Sequence, residues 1–194
     1  LLNAHETGFT RDEADRIASP YDLLSPKGMY WAFNRLGIRM GAWFSTGMKT
    51  GLKTGFDSGS TLDYVYENQP RGIGPGGRLI DRLFLDAIGW RGIRQRKVHL
   101  EEMIGLALKR LKAAGNSTNM LDIAAGHGRY VLDAVSKSEV KPDSIRLQDY
   151  SPTNVAAGRK MIAERGLSET ASFHEADAFD RAGLAATQPT PDLA

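Results

Sequence analysis

The spacing of apolar residues along the chain changes near Asn119. Before that point they recur at every third or fourth position, as at Met29, Phe33, Leu36 and Met40, and this spacing predicts helices. After it, short apolar runs alternate with helical segments, and strands are predicted at 120–124, 144–149 and 171–176. Alternation of this kind is typical of a parallel sheet with helical connections. We therefore predict an α/β fold with two regions, a mostly helical one over residues 1–115 and a sheet-forming one over residues 116–194.

The helices of the first region are predicted at 10–19, from 27 to about 44, around 79–84 and over 98–113. Between them, Gly47, Gly51 and Gly55 form one stripe if their segment is helical. Because a glycine costs a helix roughly 1 kcal/mol relative to alanine, the stripe indicates either close approach by another backbone or a less regular segment, and we expect close helix packing. The alternative is that Lys49, Lys53 and the glycine amides bind a phosphate. The run 69–77 is rich in glycine and proline, which predicts a loop and a boundary or hinge.

Composition narrows the classes of function. The chain has 194 residues, 41% hydrophobic and 25% charged, which is typical of a globular protein. It has no apolar run of the ~20 residues that cross a bilayer, and its first residues do not resemble a secretory signal, so a cytoplasmic location is expected. The net charge of +2 is too small to indicate a nucleic-acid partner. Cysteine is absent, which excludes thiolate zinc sites, and the histidines show no metal-ligand spacing, so no metal site is predicted.

A glycine turn carries the first candidate chemistry. Residues 121–129 read LDIAAGHGR, a predicted strand that enters a turn and then a helix. Without side chains at Gly126 and Gly128 the backbone can approach a ligand, and the amides that start the next helix can bind its polar end. Asp149 ends the next predicted strand about 20 residues after Gly128, the spacing expected of a carboxylate that binds a ribose.

A third acid, Asp177, follows the third predicted strand. With Asp122 and Asp149 it would lie at the carboxyl ends of consecutive parallel strands, which form the ligand crevice of an open sheet. Each acid alone is more typical of an ordinary strand end or helix cap, but three in register favour a bound cofactor. An NAD-binding oxidoreductase is the lesser alternative, because the pattern Gly-x-Gly-x-x-Gly would need a glycine where this chain has Val131.

From about residue 119 onward, these motifs resemble the class I S-adenosylmethionine-dependent methyltransferases, which have a Rossmann-like sheet. The resemblance implies that Asp122, Gly126 and Gly128 surround the methionine part of S-adenosyl-L-methionine and that Asp149 binds its ribose. Ala124, which stands where the family often has a glycine, belongs to the same predicted cofactor site. The residues expected near the adenine are Tyr150, Asp177 and Ala178.

The whole chain is also similar to a bacterial methyltransferase family, some members of which are fused to an α/β-hydrolase domain, and segments 24–31 and 62–72 carry this similarity. It implies a methyltransferase, names no substrate and assigns no catalytic residue. We expect a small-molecule or lipid-like methyl acceptor. His127 is interpreted as a loop or cofactor contact rather than a base, because methyl transfer mainly needs an aligned nucleophile. We expect the helical region to cap the carboxyl edge of the sheet, with Tyr64 and Tyr66 closing the site.

Aromatic and basic residues of the first region support a hypothesis of another class, a membrane-surface or protein-binding module. Its inserted aromatic residues would be Trp31, Phe33, Trp43 and Phe44. The basic residues beside them would be Arg35, Arg39, Lys49 and Lys53.

Residues 191–194 resemble the start of a fourth strand, whereas the methyltransferase family has seven. Three strands and their helices bury a small core. We therefore expect either a truncated product or a homo-oligomer in which a partner chain completes the sheet.

Overall fold

A computed structural model describes residues 10–194 of the chain. His5, and the first residues on which the expected absence of a secretory signal depends, lie outside the described residues. The chain divides into two compact units, one ending at Gly41 and the other spanning Ala42–Ala194. The helices from residue 46 to residue 113 thus share a unit with the sheet. The predicted division between residues 115 and 116 stays a prediction.

Helices α1 and α2 begin in the first unit. α1 spans Arg11–Ala18 and starts with a capping box, in which the Glu13 amide donates to Thr10 Oγ1 at 3.3 Å and the Thr10 amide donates to Glu13 Oε2 at 2.9 Å. α2 spans Pro26–Phe44. Both helices occur where the sequence predicts them. Large apolar side chains of α2 that are exposed include Met29, Tyr30, Trp31 and Phe33.

Four helices precede the sheet in the second unit. They are α3 (Thr46–Thr54), α4 (Gly59–Glu67), α5 (Gly74–Leu85) and α6 (Ile88–Ala113). Ser45 and Ser58 cap α3 and α4, because each hydroxyl accepts a hydrogen bond from an amide of the first turn. Among the described residues, no helix combines the length and the apolar character needed to span a bilayer.

The glycine stripe of α3 packs against aromatic rings. Gly47 and Gly51 are buried, and a Cβ at these positions would lie 2.5 Å from the Phe84 ring and 2.3 Å from the Phe56 ring, respectively. Gly55 ends the helix with a φ of +98°. The predicted helix packing is found at Gly47, whose neighbour Phe84 lies on α5, whereas the neighbour of Gly51 lies in the loop that follows α3. Both neighbours are side chains, so the expected approach of another backbone is wrong at these two positions.

Helices α5 and α6 are longer than the sequence pattern predicts. α5 already begins at Gly74, inside the predicted loop, and α6 begins at Ile88 rather than near Val98. The added turns of α6 pack through Trp90 and Ile93 on a small core, which is formed by Tyr64, Val65 and Leu85. Tertiary packing of this kind stabilises a helix whose own sequence shows little helical periodicity.

A buried carboxylate joins α3, α4 and α5. Asp81 is fully buried, and its Oδ1 accepts the Ser45 hydroxyl at 2.6 Å and the Gly47 amide at 2.9 Å. Its Oδ2 accepts the Tyr64 hydroxyl and, at 2.8 Å, the Arg71 amide. Burial alone would raise the pKa of Asp81, but these hydrogen bonds outweigh burial and hold the pKa below its usual range. The carboxylate is therefore charged at neutral pH and fixes several segments of the chain.

The second half of the unit contains a three-stranded parallel sheet in the order β1-β2-β3. The strands are β1 (Asn119–Ile123), β2 (Ser144–Asp149) and β3 (Ala171–Glu175). They are connected by α7 (Arg129–Lys137) and α8 (Pro152–Glu164), and the short helix α9 (Arg181–Ala185) follows β3. The predicted α/β fold, with its three strands and their connecting helices, is confirmed, with small differences at the element ends.

The main core lies between the sheet and the helices packed on it. Its fully buried members include Leu108, Leu132, Ile145 and Leu147. Leu193 also packs there and forms a parallel bridge with Met120, on the edge of β1 that β2 leaves free. The order of the chain across the sheet therefore reverses at β1, with β2 and β3 on one side and Leu193 on the other. Open α/β sheets bind their ligands at such a switch point, beyond the carboxyl ends of the strands.

Candidate functional site

The turn between β1 and α7 passes through left-handed backbone conformations. Ala124, Gly126 and Gly128 have φ values of +58°, +60° and +73°. Glycine adopts this region freely, whereas a residue with a side chain pays roughly 1–2 kcal/mol, so Ala124 is strained. A Cβ at Gly128 would lie 2.5 Å from Leu147 Cδ1, which leaves no room for a side chain there. A glycine would adopt the conformation of Ala124 without this strain.

The start of α4 lies directly against this turn. A Cβ built on Gly59 would be 2.8 Å from the Gly126 Cα, and a Cβ built on Gly126 would be 3.2 Å from the Gly59 Cα. The two backbones therefore approach each other at positions that both lack a side chain. This contact brings a helix of the N-terminal half to the carboxyl edge of the sheet.

A cavity of about 450 Å³ opens beside the turn. Its volume is in the range of roughly 300–1,000 Å³ that is typical of small-molecule sites. The sheet side of the cavity is formed by residues 124–130 and Asp149, and the helical side includes Asp63 and Tyr66 from α4 and Arg96 and Leu100 from α6. Helices α4 and α6 thus form the wall that the sequence predicts for a cap.

Asp149 ties the end of β2 to the glycine turn. Its side chain is buried, and Oδ2 accepts the Gly126 amide at 2.8 Å. Oδ1 accepts the Ser151 amide at 2.8 Å and the Asn154 side-chain amide at 2.9 Å. Because a carboxylate has about four acceptor positions, capacity remains for a hydroxyl of a ligand in the cavity that Asp149 lines.

Asp122 is connected to the cavity by Tyr130. Tyr130 lines the cavity, and its hydroxyl donates to Asp122 Oδ1 at 2.6 Å. The other oxygen, Oδ2, is buried and has no hydrogen-bond partner. Burial raises the pKa of Asp122 to about 6, with the Tyr130 hydrogen bond acting against the rise and the charge of Asp149 adding to it. A buried carboxylate with an unpartnered oxygen suits a cationic ligand group, because a nearby positive charge offsets the free-energy cost of burying the carboxylate.

Replacing Asp122 with asparagine is expected to raise the free energy of unfolding of the ligand-free protein by about 3 kcal/mol at about pH 8, since the folded pKa of about 6 lies above the unfolded value of about 3.9 and each pKa unit corresponds to about 1.4 kcal/mol. The folded protein holds the Asp122 proton more tightly than the unfolded chain does, because the folded pKa is raised to about 6. The wild-type protein therefore loses the stability that protonated Asp122 provides as the pH rises from about 4 to about 6, after which the effect levels off, and the variant shows no such loss. Urea unfolding of both proteins across this range measures the difference, and identical pH profiles would contradict the prediction.

His127 is held by two residues of α4. Its Nδ1 lies 3.2 Å from Asp63 Oδ2, and its Nε2 lies 3.3 Å from Ser60 Oγ. Arg129 fixes Asp63 by donating from Nε at 2.6 Å and from Nη2 at 2.9 Å, and it also donates to Glu67 at 2.9 Å. Burial alone would raise the pKa of Asp63, but the hydrogen bonds from His127 and Arg129 outweigh it and lower the pKa. Asp63 is therefore ionised at neutral pH.

The structure places the predicted cofactor residues in two groups. The residues that line the cavity are Ala124, Gly126, Gly128 and Asp149, and Asp122 is joined to it through Tyr130. Tyr150, Asp177 and Ala178 lie at the same edge of the sheet but outside the lining, and Tyr150 is 78% exposed. Asp177 accepts the Phe179 amide at 2.9 Å in the loop after β3. Contact of these last three residues with an adenine stays a prediction.

The expectation that Tyr64 closes the site is wrong. Its hydroxyl donates to Asp81, and its ring is buried in the small core that includes Leu85, so it does not line the cavity. Tyr66, on a different face of α4, does line it. Two tyrosines that are two residues apart on a helix cannot face the same direction.

Sequence analysis missed Asp63 and Arg96 as site residues. The spacing of Asp63 and Glu67 could have indicated a role for Asp63, because residues four apart lie on one helix face and can share a basic partner. In the structure that partner is Arg129. From the sequence, Arg94 and Arg96 could each pair with a carboxylate or phosphate, but a solvated helix face is the favoured interpretation, and the structure places Arg96 in the cavity wall.

Comparisons with solved structures give partial matches. The bifunctional kinase-methyltransferase WbdD matches 48% of this chain and 18% of its own, with 24% identity and a TM-score of 0.37. The cyclase SpnF matches 40% of this chain and 27% of its own, with 23% identity and a TM-score of 0.31.

Comparisons of the sequence extend over the whole chain. "Uncharacterized protein YnbC" of Escherichia coli (strain K12) is 49% identical over 188 residues, which are 97% of this chain and 32% of that protein. The chain therefore spans about a third of the length of this curated relative. The model of a family described as "Putative methyltransferase" matches residues 1–194. Because this match covers its full length, the chain belongs to that methyltransferase family.

Proposed function

We propose that the chain provides the S-adenosyl-L-methionine site of a methyltransferase whose acceptor is a small or lipid-like molecule. The observation that carries this proposal is the cavity at the glycine turn, where Asp149 lies beside the bare backbone of Gly126 and Gly128. Membership of the family supports methyl transfer as the reaction. The geometry of the turn supports this cofactor over NAD, because the turn continues into α7 with Val131 buried where a dinucleotide site needs a glycine.

The residues present fit the polar groups of this cofactor. Its ribose offers hydroxyl donors, one of which matches the acceptor position that remains on Asp149. Its methionine part carries an ammonium group, which matches Asp122 and its unpartnered, buried Oδ2. Gly128, whose Cβ would lie against Leu147 of the core, lets the turn pack closely on the sheet beside the cavity.

When bound, the cofactor supplies a methyl group on a positively charged sulfur. The contribution of the chain is to hold the acceptor in line with that methyl group and to keep water from the site. Tyr66 and Arg96, on the helical wall of the cavity, are available to contact the acceptor. The mixture of acidic, basic and aromatic side chains around the cavity suits an acceptor that has polar groups.

Isothermal titration calorimetry of the natural full-length protein tests this proposal. We expect S-adenosylmethionine and S-adenosylhomocysteine each to bind at one site per chain. NAD is the matched control, because it shares the adenosine part and belongs to the alternative function, and it is expected not to bind. Binding of NAD alone, or of none of the three, would overturn the proposal.

A second proposal concerns the surface around Trp43. Trp43 is 74% exposed, Phe44 and Leu52 are also exposed, and Lys49 and Lys53 line a shallow pocket with Trp43. Exposed aromatic residues flanked by lysines suit the interface of an anionic membrane. We propose that this surface contacts such a membrane, an arrangement compatible with a lipid-like methyl acceptor.

Replacing both Lys49 and Lys53 with glutamate is expected to weaken binding to vesicles that contain phosphatidylserine by more than about tenfold, since each basic residue near such a surface contributes about 1 kcal/mol. Co-sedimentation at low and high salt measures this. The matched control is the same change at Lys109 and Lys160, which are exposed elsewhere in the unit. Equal loss in both variants, or binding that depends on neither salt nor lipid charge, would reject the proposal, and contact with a protein would then be the better explanation of the exposed residues.

A further inference from the structure

We propose that His127 is the catalytic base of the methyl transfer and that Asp63 is the positioning residue that makes Nε2 its basic atom. This inference rests on the proposed function, because the base would act on an acceptor held in the cavity beside the glycine turn. It also names the class of acceptor, a compound with a hydroxyl group.

The contacts of His127 determine which ring nitrogen carries the proton. Nδ1 lies 3.2 Å from Asp63 Oδ2. An ionised carboxylate can only accept a hydrogen bond, so Nδ1 is the protonated nitrogen of the neutral ring and Nε2 keeps a lone pair. Asp63 cannot turn away from this contact easily, because Arg129 holds both of its oxygens, at 2.6 Å and 2.9 Å. A carboxylate that holds one nitrogen of an imidazole, and so leaves a lone pair on the other nitrogen, is the arrangement of a general base.

The lone pair of Nε2 has only a weak hydrogen-bond partner in the structure. Ser60 Oγ lies 3.3 Å away, which is long for a hydrogen bond that involves a hydroxyl. A better-placed hydroxyl can therefore replace Ser60 at little cost. His127 lines the cavity and its side chain is 14% exposed, so a hydroxyl in the cavity can reach the ring.

The proposed step is a proton transfer coupled to methyl transfer. The O–H bond of the acceptor breaks, its proton passes to His127 Nε2, and the electron pair of the oxygen forms the new bond to the methyl carbon. The pair that joined the methyl group to sulfur stays on sulfur, which becomes neutral. Asp63 stabilises the imidazolium that results, and the proton then leaves to solvent. An alcohol needs this assistance because it is too weak an acid to lose its proton unaided, and a positioned base accelerates such a step roughly 10²–10⁴-fold.

Nitrogen NMR of the natural full-length protein with labelled histidine tests the inference without turnover. In the ligand-free protein we expect the Nδ1 signal of His127 to be of the N–H type and the Nε2 signal to be of the lone-pair type. Asp63→Asn is expected to mix or reverse the two signals, whereas Ser60→Ala is expected to leave them unchanged. A proton on Nε2 in the wild-type protein would overturn the inference, and this measurement decides it even where Asp63→Asn does not fold.

Titration with S-adenosylhomocysteine separates this inference from the proposed function. If calorimetry detects binding, the His127 signals are expected to shift, since the ring lines the cavity. Binding without any change in those signals would overturn the role of His127 alone, whereas absence of binding would overturn the proposed function. For any alcohol or phenol that supports release of S-adenosylhomocysteine, His127→Gln should slow the release at least 100-fold, and an unchanged rate would exclude the base.

Discussion

Replacing Asp149 with alanine is expected to weaken the binding of S-adenosylhomocysteine about 100-fold or more. A hydrogen bond to a charged group contributes about 1.5–3 kcal/mol, and a ribose hydroxyl can donate one to the acceptor position that remains on this carboxylate. The variant also loses the 2.8 Å hydrogen bond that holds the Gly126 amide, so the turn loses its anchor at the same time. Both effects weaken binding, and calorimetry measures their sum.

A ligand change separates direct ribose binding from distortion of the turn. The 2′-deoxy analogue of S-adenosylhomocysteine should bind the wild-type protein at least tenfold more weakly than the parent compound, since loss of one hydrogen bond to a charged group costs about 1.5 kcal/mol or more. In Asp149→Ala the two ligands should bind equally, because the partner of the missing hydroxyl is gone. The same penalty in both proteins would mean that Asp149 acts only on the fold of the turn.

A distant acid provides the matched control for this experiment. Glu164 ends α8 at the opposite end from Asp149 and is exposed, with a side chain that is 63% accessible. Glu164→Ala removes the same charge and should leave binding of both ligands unchanged. A similar loss in this variant would indicate that net charge, and not position, controls the affinity.

Replacing Asp81 with alanine is expected to lower the free energy of unfolding by about 4 kcal/mol, because the removal of one partner from a buried charged network typically costs about 3–5 kcal/mol. The change leaves the Ser45 hydroxyl, the Tyr64 hydroxyl and the amides of Gly47 and Arg71 without their acceptor. Urea unfolding followed by circular dichroism measures the loss. Asp86→Ala is the control, because Asp86 is exposed and pairs with Arg82 only at 3.5 Å, and it should change stability by about 0.5 kcal/mol or less.

The difference in the free energy of unfolding between the wild-type protein and Asp81→Ala should also depend on pH. The pKa of Asp81 is lowered in the folded protein, so its stabilising effect is complete above the unfolded value of about 3.9 and is lost as the pH falls through the folded pKa. This difference in the free energy of unfolding should therefore be constant near neutral pH and become smaller at acidic pH. A difference that grows in acid would show that this carboxyl is protonated in the folded state.

The sheet and the glycine turn are predictable from the sequence because their signals are local. Each strand is a short apolar run, each connecting helix follows it directly, and the turn is marked by Gly126 and Gly128 within a few residues of β1. Parallel register then places Asp149 beside the turn, since β2 pairs with β1 residue by residue. The same logic fails for Asp177, because it lies in a loop beyond β3, where register no longer fixes the position of a side chain.

The helical half of the site is not predictable in this way because its contacts join distant parts of the chain. Asp63 meets Arg129 across 66 residues, and Ser45 meets Asp81 across 36. In the sequence each of these is an ordinary polar residue on a helix or at its end. Only tertiary packing shows that Asp63 contacts the residue after Gly126, and that Tyr64 and Tyr66 serve different parts of the unit.

The close approach of Gly59 to Gly126 is expected to constrain both positions in homologous sequences. Since each Cα occupies the space that a methyl group on the other would need, at 2.8 Å and 3.2 Å, a substitution at one position cannot be compensated by a smaller residue at the other. Both positions are already at the minimum size. Homologous sequences that retain the helix α4 should therefore keep glycine at both sites together, and those that lose one should show a rearranged entrance to the cavity.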